Sequence, residues 1–241
     1  GHTVILVHGW GGSYESTWRG SGFADLLEDS GATVVGVDLL GHGTAPKPHD
    51  VEAYSDLTAR ILASMPDEPV AVFGEKYGDI VRVVDVVGFS LGAITLLRLA
   101  VEHPGRIRRL VLAGIGRNVL EVDESGTWRR IVDAIEGRGD PADVTVQLFV
   151  NYANQPGNDP QALACVMSRQ RAPFTADELA KVTCPTLVVI GDNDFAGPAD
   201  GLAALLPNST LTVLRHCDHF ATTENFGFFD AALEFLGALP A

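Results

Sequence analysis

Gly88-Phe89-Ser90-Leu91-Gly92 is the stretch of this chain whose residue types and spacing bear most directly on chemistry. It fits G-x-S-x-G, and its flanks matter as much as its letters. An apolar run, Val83–Val87, leads in, and a helical pattern, Leu91–Glu102, leads out. A serine on a sharp strand-to-helix turn has its hydroxyl exposed at the strand's carboxyl end. Flanking glycines remove side chains that would clash there, and the following helix N-terminus favours developing negative charge. That is the setting of a nucleophile for acyl transfer. Without such flanks the same letters would describe an ordinary turn that happens to contain serine.

A serine hydroxyl is a weak nucleophile until a base takes its proton. Histidine, with an unperturbed pKa of about 6.5, suits that task. The chain has seven: His2, His8, His42, His49, His103, His216 and His219. A carboxylate must then orient the imidazole and stabilise its cation. Asp192 and Asp194 follow the apolar run Thr186–Ile190, and Asp218 adjoins His219. Adjacency in sequence does not give Asp218 the right geometry. Glu121 and Asp123 lie too far downstream of the run Leu110–Ala113. His216-Cys217-Asp218-His219 is compact but lacks helical i, i+4 spacing and a matched second cluster, so no metal site is expected.

The elements that must position these residues are legible as a pattern. Short apolar runs, Thr3–Val7, Thr33–Val37, Val83–Gly88, Leu110–Ala113, Thr186–Ile190 and Leu211–Leu214, alternate with helical stretches. The helix candidates are Phe23–Asp29, Val51–Ser64, Leu91–Glu102, Ala199–Leu206 and Phe226–Leu236. Continuous apolar strands belong to parallel sheets buried on both faces, so the fold class is α/β, a doubly wound, mostly parallel sheet. Residues 119–181 break the alternation. Trp128, Ile131, Val132 and Ile135 stand at helical spacing, with further helices over Ala142–Tyr152, Pro160–Gln170 and Ala176–Lys181. They are read as a small helical insertion between core segments 1–118 and 182–241. Residues 66–82 form a connection well beyond the usual length of about 2–6 residues. They are read as a hairpin at the amino-terminal end of the next strand, and as the candidate contact of a homodimer.

Composition narrows the partners. The 241 residues carry a formal net charge of −14, and 46% are hydrophobic. Nucleic acid needs clustered Lys and Arg, so it is not an expected partner, nor is an anionic membrane surface. Three cysteines cannot all pair with one another, which suits a reducing compartment. The most apolar long stretch, Val83–Val101, contains Asp85 and Arg98, so no membrane span is expected. The N-terminus lacks the basic region and apolar core of a signal peptide, so a cytoplasmic location is expected. No phosphate loop and no dinucleotide fingerprint follows the first strand, which argues against a dinucleotide-dependent oxidoreductase.

Taken in order, five segments resemble the α/β-hydrolase family with a serine nucleophile, over nearly the whole chain. They are Val7-His8-Gly9-Trp10-Gly11, Asp38-Leu39-Leu40-Gly41-His42-Gly43, Gly88–Gly92, Gly191-Asp192-Asn193-Asp194 and Cys217-Asp218-His219-Phe220. Two features depart from the family: its first two strands have no counterpart, and segment 66–82 is longer. The resemblance implies Ser90 as nucleophile, Asp194 as acid and His219 as base. Asp192 is then a residue that holds its loop, and His216 a partly buried structural neighbour. The oxyanion would rest on the backbone N–H groups of Trp10 and Leu91. His8 and His42 would shape their loops. The helical insertion would be a cap whose apolar side chains, among them Trp128, Phe149, Tyr152 and Phe174, line a pocket. No arginine cluster is expected to aim at a carboxylate or phosphate there, although Arg117, Arg169 and Arg171 are in reach. The implied activity is hydrolysis, through an acyl-enzyme and without a cofactor, of a small or medium, largely apolar carboxylic ester. A C–C bond, lactone or thioester would use the same triad, and a receptor of low turnover could keep it.

Overall fold

The computed structural model describes residues 2–66 and 84–239. The hairpin expected over 66–82 lies, apart from Pro66, outside the described residues. Six strands, β1 (Thr3–Val7), β2 (Thr33–Val37), β3 (Val84–Phe89), β4 (Ile107–Ala113), β5 (Thr186–Gly191) and β6 (Ser209–Leu214), form one sheet of order β2-β1-β3-β4-β5-β6. All five pairings are parallel. β3 and β5 are buried along their whole length, whereas the edge strands β2 and β6 keep exposed positions.

Alternation along each strand sends side chains to two cores. Ile5, Val7, Val86, Leu110, Leu112, Val188 and Ile190 face one side. There they pack on α2 (Thr58–Ser64), α3 (Leu91–Glu102) and α8 (Asp200–Leu205) through Ile61, Leu96, Leu99 and Leu202. Val4, Leu6, Val87, Val111, Leu187 and Val189 face the other side. That face is covered by α1 (Phe23–Asp29) and α9 (Phe226–Leu236), with Trp18, Phe23 and Phe228 completely buried. Helices on both faces of a parallel sheet make this a doubly wound α/β fold.

Four helices lie between β4 and β5: α4 (Thr127–Ile135), α5 (Val144–Ala153), α6 (Pro160–Ser168) and α7 (Ala176–Leu179). Ile131, Val146, Phe149 and Met167 give α4, α5 and α6 a small core of their own, against which Trp10 and Trp128 pack, whereas Val166 of α6 and Leu179 of α7 join the first sheet core. Asp143, Asp159 and Thr175 cap α5, α6 and α7 by accepting a backbone N–H.

The helix expected over Val51–Ser64 is broken. A 3-10 turn, Val51–Tyr54, precedes α2, and Ser55–Leu57 separates them. Asp50 accepts the Glu52 N–H, and Asp56 accepts both the N–H and the hydroxyl of Thr58. Short acids offer the backbone such local partners, and so start two helical segments where apolar periodicity suggested one.

Candidate active site

Ser90 stands between β3 and α3 at φ 53° and ψ −115°, a conformation that costs a non-glycine residue about 1–3 kcal/mol. Its neighbours hold it there. The Ser90 N–H donates to the Ala113 carbonyl at 2.8 Å, and the Ser90 carbonyl accepts from Ile94 N–H at 2.9 Å. Close approach explains the flanking glycines. A Cβ on Gly92 would come within 2.3 Å of the Val7 carbonyl oxygen, and one on Gly88 within 2.7 Å of the Ala93 nitrogen.

Three loops at the carboxyl ends of β3, β5 and β6 bring the side chains together. His219 Nε2 lies 2.9 Å from Ser90 Oγ, and His219 Nδ1 lies 2.9 Å from both carboxylate oxygens of Asp194. An ionised carboxylate only accepts, so Nδ1 carries the proton and Nε2 is left to accept from the serine hydroxyl. His219 and Asp194 are both buried. The rings of Phe89 and Phe195 pack against that of His219, at centroid distances of 4.9 and 4.4 Å. The sequence reading did not single out these two phenylalanines. Their only signal was position, one inside the pentapeptide and one directly after Asp194.

Asp192 faces away from the histidine. It accepts the backbone N–H groups of His216 and Cys217 at 3.0 and 3.1 Å, which holds its carboxyl below the usual range. Asp218 likewise accepts from the backbone, at Ala221. His216, expected to be partly buried, is exposed, with φ 52°. Its place at the bend between β6 and the His219 loop turns its side chain outward.

His8 is completely buried. Its Nε2 accepts the Leu39 N–H at 3.0 Å, which leaves Nδ1 to donate to the Gly9 carbonyl at 2.7 Å. Burial pushes its pKa down. His42 sits 4.8 Å from it, ring to ring, and donates Nδ1–H to Leu40. Burial, then the neighbouring His8, lowers His42 to about 3. These are loop-shaping residues, uncharged at neutral pH.

Ser90 and His219 open on a cavity of about 30 Å³, lined also by Trp10, Phe89, Phe149, Tyr152 and Phe220. Trp10 is fixed by a hydrogen bond from its indole N–H to the Leu163 carbonyl at 3.0 Å. The backbone N–H groups of Trp10 and Leu91 have no acceptor among the described residues. Of the insertion's apolar side chains, Phe149 and Tyr152 reach this cavity, while Ile131 and Met167 fill the small helical core. Arg117 pairs with Glu121, and Arg169 and Arg171 line a separate cleft. Among the described residues no group of three or more His, Cys, Asp or Glu could hold a metal ion. No described helix is long and apolar enough to cross a membrane.

Comparison with known proteins agrees with this architecture. Residues 4–232 match the profile of the alpha/beta hydrolase family. The chain belongs to that family. The pimeloyl-[acyl-carrier protein] methyl ester esterase of Neisseria meningitidis serogroup B is 29% identical over 90% of this chain and 85% of its own. The 2-hydroxy-6-oxononadienedioate/2-hydroxy-6-oxononatrienedioate hydrolase of Escherichia coli is 27% identical over 95% of this chain and 84% of its own. Among solved structures, a 2-hydroxy-6-oxo-6-phenylhexa-2,4-dienoate hydrolase from a Rhodococcus strain shares the fold. Its TM-score is 0.71 at 21% identity, with 98% of this chain and 90% of that chain covered. As a family member with esterase and hydrolase relatives, the chain is a hydrolase.

Proposed function

We propose that this hydrolase cleaves a small or medium, largely apolar carboxylic ester by way of an acyl-enzyme on Ser90. The observation that carries the reading is the unbroken hydrogen-bond chain from Ser90 Oγ through His219 to Asp194, built on a strained turn. Ser90 Oγ attacks the carbonyl carbon and its proton passes to His219 Nε2. Asp194 keeps the imidazole oriented through Nδ1–H and stabilises its cation. The oxyanion forms facing the Trp10 and Leu91 N–H groups, which have no acceptor among the described residues. As the intermediate collapses, the C–O bond to the leaving alcohol breaks and Nε2 returns the proton to it. Water then repeats the attack on the acyl-Ser90 ester, with His219 again the base.

We read residues 119–181 as a cap over this site. Three of its helices, α4, α5 and α6, share a core separate from the two sheet cores, and Phe149 and Tyr152 of α5 reach the Ser90 cavity. The apolar lining supports an apolar group next to the scissile carbonyl.

A p-nitrophenyl ester series tests the reading. A burst of one p-nitrophenol per protein, followed by steady turnover, is expected, and the dependence of that turnover on acyl length sizes the pocket. Binding without turnover across the series would instead mark a receptor on the same fold. The Escherichia coli relative favours a second reading, hydrolysis of a C–C bond next to a carbonyl. Turnover of a vinylogous 1,5-diketone in preference to every ester would select it.

A further inference from the structure

Beside the Ser90 cavity lies a much larger cleft of about 710 Å³. The two spaces share no lining residue but they adjoin. Ile94, one turn beyond Ser90 on α3, lines the cleft. Trp128 also lines it and packs edge-on against Phe149 at 5.7 Å, and Phe149 lines the Ser90 cavity. This aromatic pair forms the partition.

Two guanidinium groups open into the cleft from the segment that follows α6. Arg169 donates to the Val166 carbonyl at 2.7 Å and Arg171 to the Met167 carbonyl. Arg171 also lies over the Trp128 ring at 5.0 Å. Neither forms a salt bridge among the described residues. Of the lining carboxylates, Glu121 is ion-paired with Arg117, whereas Asp56 and Asp123 accept from the hydroxyls of Thr58 and Ser125 and keep their charge. Glu102 stands farther along α3, and Arg98 is already paired with Glu178. Burial, then the neighbouring charge of Arg171, lowers Arg169 to about 9, and burial also lowers Arg171. The Asp123 carboxylate of the lining acts against this at Arg171. Two like charges crowded together are unfavourable until a further anion joins them.

We propose that the cleft is the seat of an oxyanion carried by the substrate at the end remote from the scissile bond, clamped by Arg169 and Arg171. The inference rests on the serine hydrolase reading. The cavity at Ser90, about 30 Å³, holds little more than one small group, so the body of a substrate must lie beyond it. The cleft begins one helical turn away, about 5.4 Å along α3. The Trp128–Phe149 pair must part when substrate enters. Arginine forks suit a planar carboxylate and also a phosphate. The expected substrates are half-esters of dicarboxylic acids, or esters whose far end is phosphorylated.

Calorimetric titration of the Ser90→Ala protein, which holds substrate without cleaving it, tests this. The probes are monomethyl adipate, methyl hexanoate, and the methyl ester of 6-phosphohexanoic acid. At least one anionic ester should bind about tenfold or more tightly than the neutral one, with the preference shrinking as salt rises. Which anion gains identifies the carboxylate or the phosphate as the natural group. The preference should collapse in Arg171→Gln and in Arg169→Gln/Arg171→Gln; the single variant serves if the double one does not fold. Equal affinity for charged and neutral probes, or a preference that survives both variants, overturns the proposal. Steady cleavage of neutral esters by the native protein without any anion preference would sink the clamp and leave the hydrolase reading standing. Anion preference without any turnover would do the reverse.

Discussion

Asp192 and Asp194 stand two positions apart and face different partners. Asp194 meets His219 Nδ1, whereas Asp192 accepts two backbone N–H groups of the loop that carries His219. Their substitutions should separate accordingly. Asp194→Asn should lower kcat by about 10⁴-fold, by misorienting the imidazole, with little change in Tm. Asp192→Asn should keep kcat within about tenfold of native and lower Tm instead. Steady-state kinetics beside thermal melts of both variants check this; equal losses of kcat would undo the assignment. The sequence offered both acids, because spacing alone does not say which carboxylate turns toward the histidine. The family order pointed to Asp194. It could not reveal Phe89 and Phe195 packed against the His219 ring, since an aromatic next to a motif carries no direction until the backbone is known.

At the scale of elements, apolar runs located the six described strands, matching both ends of β1 and β2 but not both ends of the other four. β4 begins at Ile107, three residues before the run Leu110–Ala113, because Arg108 and Arg109 interrupt the pattern without interrupting the strand. Both arginines have local partners. Arg108 grips the fully buried Asp85 of β3 with two hydrogen bonds, at 2.9 and 2.6 Å, and Arg109 donates to the Leu236 carbonyl at the end of α9. Asp85 in an apolar strand reads from sequence as an interruption; in the sheet it is one half of an ion pair. Arg108→Met should cost roughly 2–3 kcal/mol, less than a wholly buried pair because the Arg108 side chain is 38% exposed. Urea unfolding of the variant measures the loss, and a change of under about 0.5 kcal/mol would contradict it. The division of Val51–Ser64 shows the same limit, since Asp50 and Asp56 compete locally where apolar spacing alone suggests continuity.

For the molecule as a whole, the doubly wound arrangement was legible because parallel strands buried on two faces leave continuous apolar runs. The 710 Å³ cleft was not, because its lining comes from α3 and from segments on either side of it in sequence, each unremarkable alone. The buried histidines make a global prediction. His8 and His42 have folded pKa values below the unfolded value of about 6.5, so below that pH, and for His42 down to about 3, the unfolded chain binds more protons. Stability should therefore fall as pH drops through this window, by at most about 1.4 kcal/mol per pH unit for each histidine. His42→Asn should flatten that limb in denaturation curves taken across the window; an unchanged slope would contradict the neutral, buried assignment. The account as a whole turns on whether the fold delivers a reactive hydroxyl at Ser90, and labelling with a fluorophosphonate followed by peptide mapping tests that most directly. We predict a single adduct on Ser90, lost in Ser90→Ala and formed far more slowly in His219→Ala. Absence of an adduct at Ser90 in the native protein, or ester turnover undiminished in Ser90→Ala, would contradict the account.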